Sequence, residues 1–158
     1  MNQEIKKIIA RFKRLNDSQP WFGKSINSSL ESYRLPLLSD TSLYVKSIIE
    51  IAAHMYQWRM FVIKKLEEEE DFDIELDSVK DWPDTSDLSW EDIKSNLSVS
   101  SDELIECLQG KDDAFLDSIV PGKRYNFRFL IEGIMQHDIY HLGQMNLIHS
   151  SLSSSTFN

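Results

Sequence analysis

The chain has 158 residues, of which 41% are hydrophobic and 27% charged, with a formal net charge of −9 at pH 7. This length fits one globular domain, and the negative charge argues against a nucleic-acid partner, whose phosphates require clustered lysine and arginine. Because Cys107 is the single cysteine and no apolar run reaches the ~18 residues of a membrane span, we expect a cytoplasmic protein with no membrane partner.

The hydrophobic pattern predicts an all-α fold. Apolar residues recur at helical spacing in four long segments, which are separated by Pro, Gly and polar residues. We expect long helices over residues 3–16, 43–68, 89–109 and 126–150, a shorter one over 20–34, and a helical turn over 113–119. This order predicts an antiparallel four-helix bundle with short extra helical segments. The bundle would form one domain over residues 1–150, followed by a flexible polar tail over 151–158.

An acidic segment over residues 67–87 connects the second and third long helices. One interpretation is a solvated interhelical loop. The other is a partly ordered lid beside a site, because Phe72, Ile74, Leu76 and Trp82 are apolar. The sequence leaves both interpretations open.

Three of the four histidines form the pattern that bears on function. His137 and His141 are four residues apart, so they share one face of the last helix, and this face is its apolar stripe. His54 falls on the apolar face of the helix over 43–68. A buried imidazole needs a partner, either a hydrogen-bond acceptor or a metal ion. Three imidazoles with one open position are the usual plan of a catalytic metal site.

Other polar residues fall near these histidines. Glu50 precedes His54 by four residues and shares its face, so it is a candidate for orienting an imidazole, for a fourth ligand or for a general base. Asp138 is rotated about 100° from His137, which favours a surface or helix-pair role. Gln144 is either a hydrogen-bond donor near the site or a polar surface residue, and His149 is expected at the surface.

At these residues the sequence resembles the DinB-like superfamily, which includes the DinB/YfiT-like metal-dependent hydrolases. The last helix, GIMQHDIYHLGQMNLI (133–148), is similar to the family pattern of two histidines four apart followed by Gly-Gln. The segment SIIEIAAHMYQWRMFVIKKL (47–66) resembles the helix of the first ligand, with Trp58 four residues after His54. A less specific similarity covers PWFGKSINSSL (20–30). The resemblance therefore spans almost the whole chain.

The resemblance implies a four-helix bundle that binds a divalent metal through His54, His137 and His141. Zn and Ni are the first candidates for this metal, and Fe and Mn are the next. The family includes thiol-dependent transferases that act on small-molecule substrates with low-molecular-weight thiols, and homodimers are frequent in it. We therefore expect thiol-dependent transfer, with metal-dependent hydrolysis or a non-catalytic metal-binding bundle as the alternatives.

Overall fold

The computed structural model describes residues 2–155, and over this range the protein is all-α, as predicted. The α-helices are α1 (Gln3–Asp17), α2 (Ile26–Ser32), α3 (Ile48–Leu66), α4 (Trp90–Gln109) and α5 (Phe127–Ser155). Short 3-10 helices span Leu35–Leu37 and Asp113–Asp117, and one isolated antiparallel bridge joins Ile119 to Asn126. None of the helices in this range combines the length and the apolar character required to cross a bilayer.

Four long helices form the bundle. Helix α3 packs against α4 and α5, helix α1 packs against the same two helices, and α2 lies beside α1, α4 and α5. Each long helix turns its apolar stripe inward, because burial of that stripe is the main source of helix stability in a protein. In α1 the buried stripe consists of Ile5, Ile8, Phe12 and Leu15.

The helix directions are mixed. Helix α5 runs opposite to α3, since His54 meets His141 while the later Arg59 meets the earlier Asp138. Helices α3 and α4 instead run in the same direction. Arg59 donates to the Leu97 carbonyl near the middle of both, and Glu68 and Lys111 form an ion pair just beyond their ends. The long connection 67–89 permits this, because it returns the chain to the end of the bundle where α3 began.

Capping residues explain where the helices depart from their predicted bounds. Helix α3 begins after Ser47 instead of at 43, because Ser47 and Glu50 form a capping box there. Helix α2 begins after Ser25, whose hydroxyl accepts from the Ser28 amide.

Helix α5 continues beyond its predicted end at residue 150. It includes residues 151–155, because Leu152 extends the buried stripe of the helix and is only 3% exposed. This part of the predicted flexible tail is therefore helical, and residues 156–158 lie outside the described residues.

Candidate metal centre

Three histidine side chains converge between α3 and α5. His54 lies in the middle of α3, and His137 and His141 lie one turn apart on α5. The Nε2 atom of His54 is 3.0 Å from that of His137 and 3.1 Å from that of His141, and the last two are 3.1 Å apart. The structure thus brings together the three residues that the sequence pattern predicted.

The outer nitrogen atoms determine which tautomers two of the imidazoles adopt. His54 Nδ1 is 2.8 Å from the carbonyl oxygen of Asp81 and 3.0 Å from its Oδ1 atom. His141 Nδ1 is 2.6 Å from Gln144 Oε1. These partners only accept hydrogen bonds, so both Nδ1 atoms carry the proton and donate. The Nε2 atoms of His54 and His141 consequently present lone pairs to each other.

This arrangement fits a bound cation. The Nε2 lone pairs of His54 and His141 face each other, with the two atoms 3.1 Å apart. A neutral His137 carries a single N–H, so even with its proton on Nε2 it can donate to only one of these two lone pairs. With the proton on Nδ1 instead, His137 has a buried donor, for which residues 2–155 provide no hydrogen-bond partner. One ion lying ~2.1 Å from each Nε2 atom would give all three lone pairs a partner. The triangle of nitrogen atoms is small enough for that distance.

Burial keeps the three imidazoles neutral. For His137, burial has the largest effect, and together with the effects of His141, His54 and Arg59 it lowers the pKa to about 3. Burial likewise lowers the pKa of His141 to about 4. For His54, burial lowers the pKa and outweighs the opposing effect of Asp81. Neutral imidazole is the form that binds a metal ion, so these ligands need no deprotonation near pH 7.

Two residues of the connection 67–89 complete the site, and sequence reasoning did not identify their roles. The Asp81 carboxylate is buried, and besides facing His54 it accepts from Trp58 Nε1 at 2.8 Å and from the Asp77 amide at 2.9 Å. Trp82 stacks on the His54 ring. The structure thus favours the lid interpretation for this part of the acidic segment. Leu76 does not contribute to the lid, since it is 72% exposed.

Glu50 lies on α3 as predicted, but its carboxylate is engaged at the start of the helix. It accepts hydrogen bonds from the Ser47 amide and hydroxyl, and from Lys46 Nζ at 3.2 Å. The carboxylate that contacts His54 belongs to Asp81. The reason is geometric: the loop supplies an acceptor directly at His54 Nδ1, whereas the capping box holds Glu50 one turn away.

Asp138 is buried, which corrects the expectation of a surface position. Its Oδ2 atom accepts from Arg59 Nε at 3.0 Å, and both side chains are fully buried. Arg59 also donates to Asn16 Oδ1 on α1 and to the Leu97 carbonyl on α4. One buried cation thus links all four bundle helices directly behind His137. Asp138 lies on the buried stripe of α5, four residues from both Ile134 and Leu142, so the apolar residues around it in the sequence are the signal that would have predicted its burial.

The remaining candidates lie apart from the three histidines. His149 is half-buried and accepts a hydrogen bond from the Arg34 amide, so it is less exposed than expected. Burial raises the pKa of the Cys107 thiol, which agrees with an unreactive side chain.

Comparison with models of protein families gives a match over most of the chain. A family model described as the DinB superfamily matches residues 7–145, a range that includes all three histidines. Searches of curated proteins and of solved structures found no match to the chain.

Proposed function

Because the chain belongs to the DinB superfamily, we propose that it is a metal-dependent enzyme that transfers a group to or from a low-molecular-weight thiol. The observation that carries the proposal is the convergence of three Nε2 atoms within 3.1 Å of one another. His54, His137 and His141 would hold one divalent ion, with Zn or Ni as the first candidates and Fe or Mn as the next. The small-molecule substrate would bind beside them.

The protein's own residues prepare the site for this chemistry. Asp81 and Gln144 fix the ring orientations of His54 and His141, so their lone pairs already point to one place. Trp82 covers one face of His54 and excludes water from it. A divalent ion held there would supply Lewis-acid chemistry, which favours the deprotonated form of a thiol or of water.

The two candidate carboxylates, Asp81 and Glu50, already accept other hydrogen bonds, which favours thiol transfer over hydrolysis. Hydrolysis ordinarily uses a general base close to the attacking water. Within residues 2–155 the only cluster with metal-ligand spacing consists of the three histidines, and it contains no carboxylate. Asp81 already accepts from Trp58 and Asp77, and Glu50 caps α3. A thiol held by such an ion would be deprotonated outright, whereas water held there would keep a pKa of ~7 or above and would still gain from a base.

Metal analysis of protein purified without a metal-affinity tag tests the first part of the proposal. We expect about one equivalent of metal in the wild-type protein and in His149→Ala, and almost none in His54→Ala. Full retention of metal by His54→Ala would refute the assignment. A tag column is avoided because it could load Ni onto three imidazoles.

A transfer assay tests the second part. The metal-loaded protein is mixed with a low-molecular-weight thiol and an alkyl halide, so that a carbon–sulfur bond forms, halide leaves and the thiol proton goes to the solvent. We expect loss of free thiol with the wild-type protein and background rates with His54→Ala. Turnover of an activated ester without thiol would favour hydrolysis instead, and no turnover of either substrate would favour a non-catalytic metal-binding bundle.

The resemblance to the superfamily also supports a homodimer. The mass of the protein in solution, measured by analytical ultracentrifugation, tests this.

A further inference from the structure

A pocket of about 210 Å³ opens beside His137, between α3 and α5. His137 is its only lining residue among the three clustered histidines, so the pocket adjoins the candidate metal centre. The mouth is marked by Phe129, which is 65% exposed, whereas Phe61 lies deep in the wall and is 2% exposed. The wall consists mainly of Trp58, Phe61, Tyr125, Phe129, Gly133 and His137.

The lining offers few polar contacts to an occupant. Trp58 has an indole N–H, but this group already donates to Asp81 at 2.8 Å. Lys123 lies 5.4 Å from the centre of the Phe61 ring, but it is paired with Asp73 at 2.6 Å and is not a lining residue. Among the described residues, no Asp, Glu, Lys or Arg lines the pocket. An occupant would therefore be uncharged and mainly apolar, with the Tyr125 hydroxyl and the His137 ring as the remaining polar groups of the lining.

Gly133 extends the free space to the backbone of α5. A Cβ atom added at this position would meet nothing within 4 Å, although Gly133 lies inside the helix and lines the pocket. A larger side chain here would therefore enter the pocket without displacing the core. Gly143 lies on the same helix and also has nothing within 4 Å, but it is exposed and does not line the pocket. The chain thus contains a matched control.

We propose that this pocket binds an aryl or short branched alkyl group of the substrate, next to the atom that reacts at the three histidines. The proposal deepens the proposed function and rests on it. An engineered apolar cavity of about 150 Å³ binds benzene, so 210 Å³ admits a six-membered ring with a small substituent. The aromatic walls suit such a ring, because aromatic pairs gain energy beyond simple burial.

The first experiment tests binding to the pocket and does not require a bound metal. Benzyl alcohol and ethanol are titrated into ¹⁵N-labelled protein, and the backbone amides of Gly133 and Gly143 are followed by NMR. We expect benzyl alcohol to shift the amide signal of Gly133 in a saturable manner and to leave that of Gly143 unchanged, with no saturable effect of ethanol.

Two variants identify the pocket as the place of binding. The saturable change should disappear in Gly133→Leu and persist in Gly143→Leu. If the leucine variant does not fold, Gly133→Ala replaces it in the test. This variant adds only a methyl group and favours the helix, and it should weaken the binding of benzyl alcohol. No saturable shift at Gly133 in the wild-type protein would overturn the proposal.

The second experiment connects the pocket to the metal centre. Co(II) is loaded as a spectroscopic probe, and benzyl mercaptan and ethanethiol are compared through the sulfur-to-cobalt absorption band. We expect the wild-type protein to bind benzyl mercaptan about tenfold more tightly, as burial of one ring predicts. Gly133→Leu should lose this preference and keep its affinity for ethanethiol, and Gly143→Leu should keep both.

The two experiments separate the failure of the pocket from that of the metal centre. Equal affinities for the two thiols in Co(II)-loaded wild-type protein would overturn the pocket proposal and leave the metal centre intact. A protein that binds no Co(II) would overturn the proposed function, and the NMR titration would still decide whether the pocket takes an aryl group.

Discussion

Trp82 lies flat against the imidazole of His54, with ring centroids 4.0 Å apart and ring planes 10° apart. Asp81, the residue before it, faces the Nδ1 edge of the same imidazole with its carbonyl and carboxylate oxygens. Two consecutive loop residues thus hold one ring, one at its edge and the other at its face. The orientation of His54 depends on the connection 67–89 as much as on α3.

Removal of the stacked indole should accelerate metal release. Trp82→Ala leaves the three Nε2 atoms in place but exposes one face of His54. Since an aromatic pair contributes about 0.5–1.5 kcal/mol, we expect metal transfer to a chelator to be ~3–10-fold faster. Trp21→Ala is the control, because Trp21 is 100% exposed. Equal release rates in the wild-type protein and Trp82→Ala would show that the stack does not retain the metal.

Neutralisation of Asp81 should weaken metal binding without abolishing it. Asp81→Asn replaces the charged carboxylate beside His54 Nδ1 with a neutral amide. Loss of a hydrogen-bond partner of a metal-binding histidine typically lowers metal affinity ~10–100-fold. We expect the low end, about tenfold, because the Asp81 carbonyl oxygen remains 2.8 Å from the same Nδ1 atom. Competition with a chromophoric chelator measures the effect. Asp84→Asn, an exposed change in the same loop, should match the wild-type protein; a similar loss there would indicate a general effect of loop charge.

These two loop residues also show where prediction from the sequence ends. Helical periodicity is local, so it placed His54, His137 and His141 on inward faces and predicted the all-α bundle. The position of Asp81 depends on the path of the connection, which tertiary contacts determine. The buried Lys65 side chain donates to the carbonyl oxygens of Glu69 and Glu70 and so turns the chain after α3. No periodic pattern encodes such a contact.

Breakage of the buried ion pair between Arg59 and Asp138 should destabilise the bundle. Arg59→Met leaves Asp138 as a buried, uncompensated carboxylate, and such changes cost about 3–5 kcal/mol. The double variant Arg59→Met/Asp138→Leu should recover a large part of this loss, because neither charge remains. Urea unfolding measures both free energies. Glu4→Gln is the control, because it breaks an exposed ion pair with Lys7 and should change the free energy of unfolding by less than ~1 kcal/mol. If Arg59→Met lowered the free energy of unfolding by no more than Glu4→Gln does, the buried ion pair would not be important for stability.

Removal of the metal should lower the melting temperature. An ion that binds only the folded state stabilises it by about 2.7 kcal/mol at a free concentration 100 times its Kd. We therefore expect chelation to lower the Tm of the wild-type protein and of His149→Ala. His137→Ala should melt at one temperature with or without metal. Calorimetry checks this, and an unchanged Tm of the wild-type protein after verified metal removal would show that the metal does not stabilise the fold.

Glu50→Gln should reduce stability and leave the metal centre intact. Burial raises the pKa of the Glu50 carboxyl, but hydrogen bonds from Ser47 and Lys46 outweigh it and hold the pKa below its ordinary value of 4.5. The ionised group therefore stabilises the folded state above pH 4.5, and this contribution is lost as the pH falls through the lower, folded-state pKa. At pH 7 we expect Glu50→Gln to be less stable by about 0.5–1 kcal/mol, with unchanged metal content. The difference in unfolding free energy should shrink below pH 4.5, as urea titrations at several pH values would measure. If Glu50→Gln instead lost metal or turnover with its stability unchanged, Glu50 would serve the site as the sequence pattern first suggested.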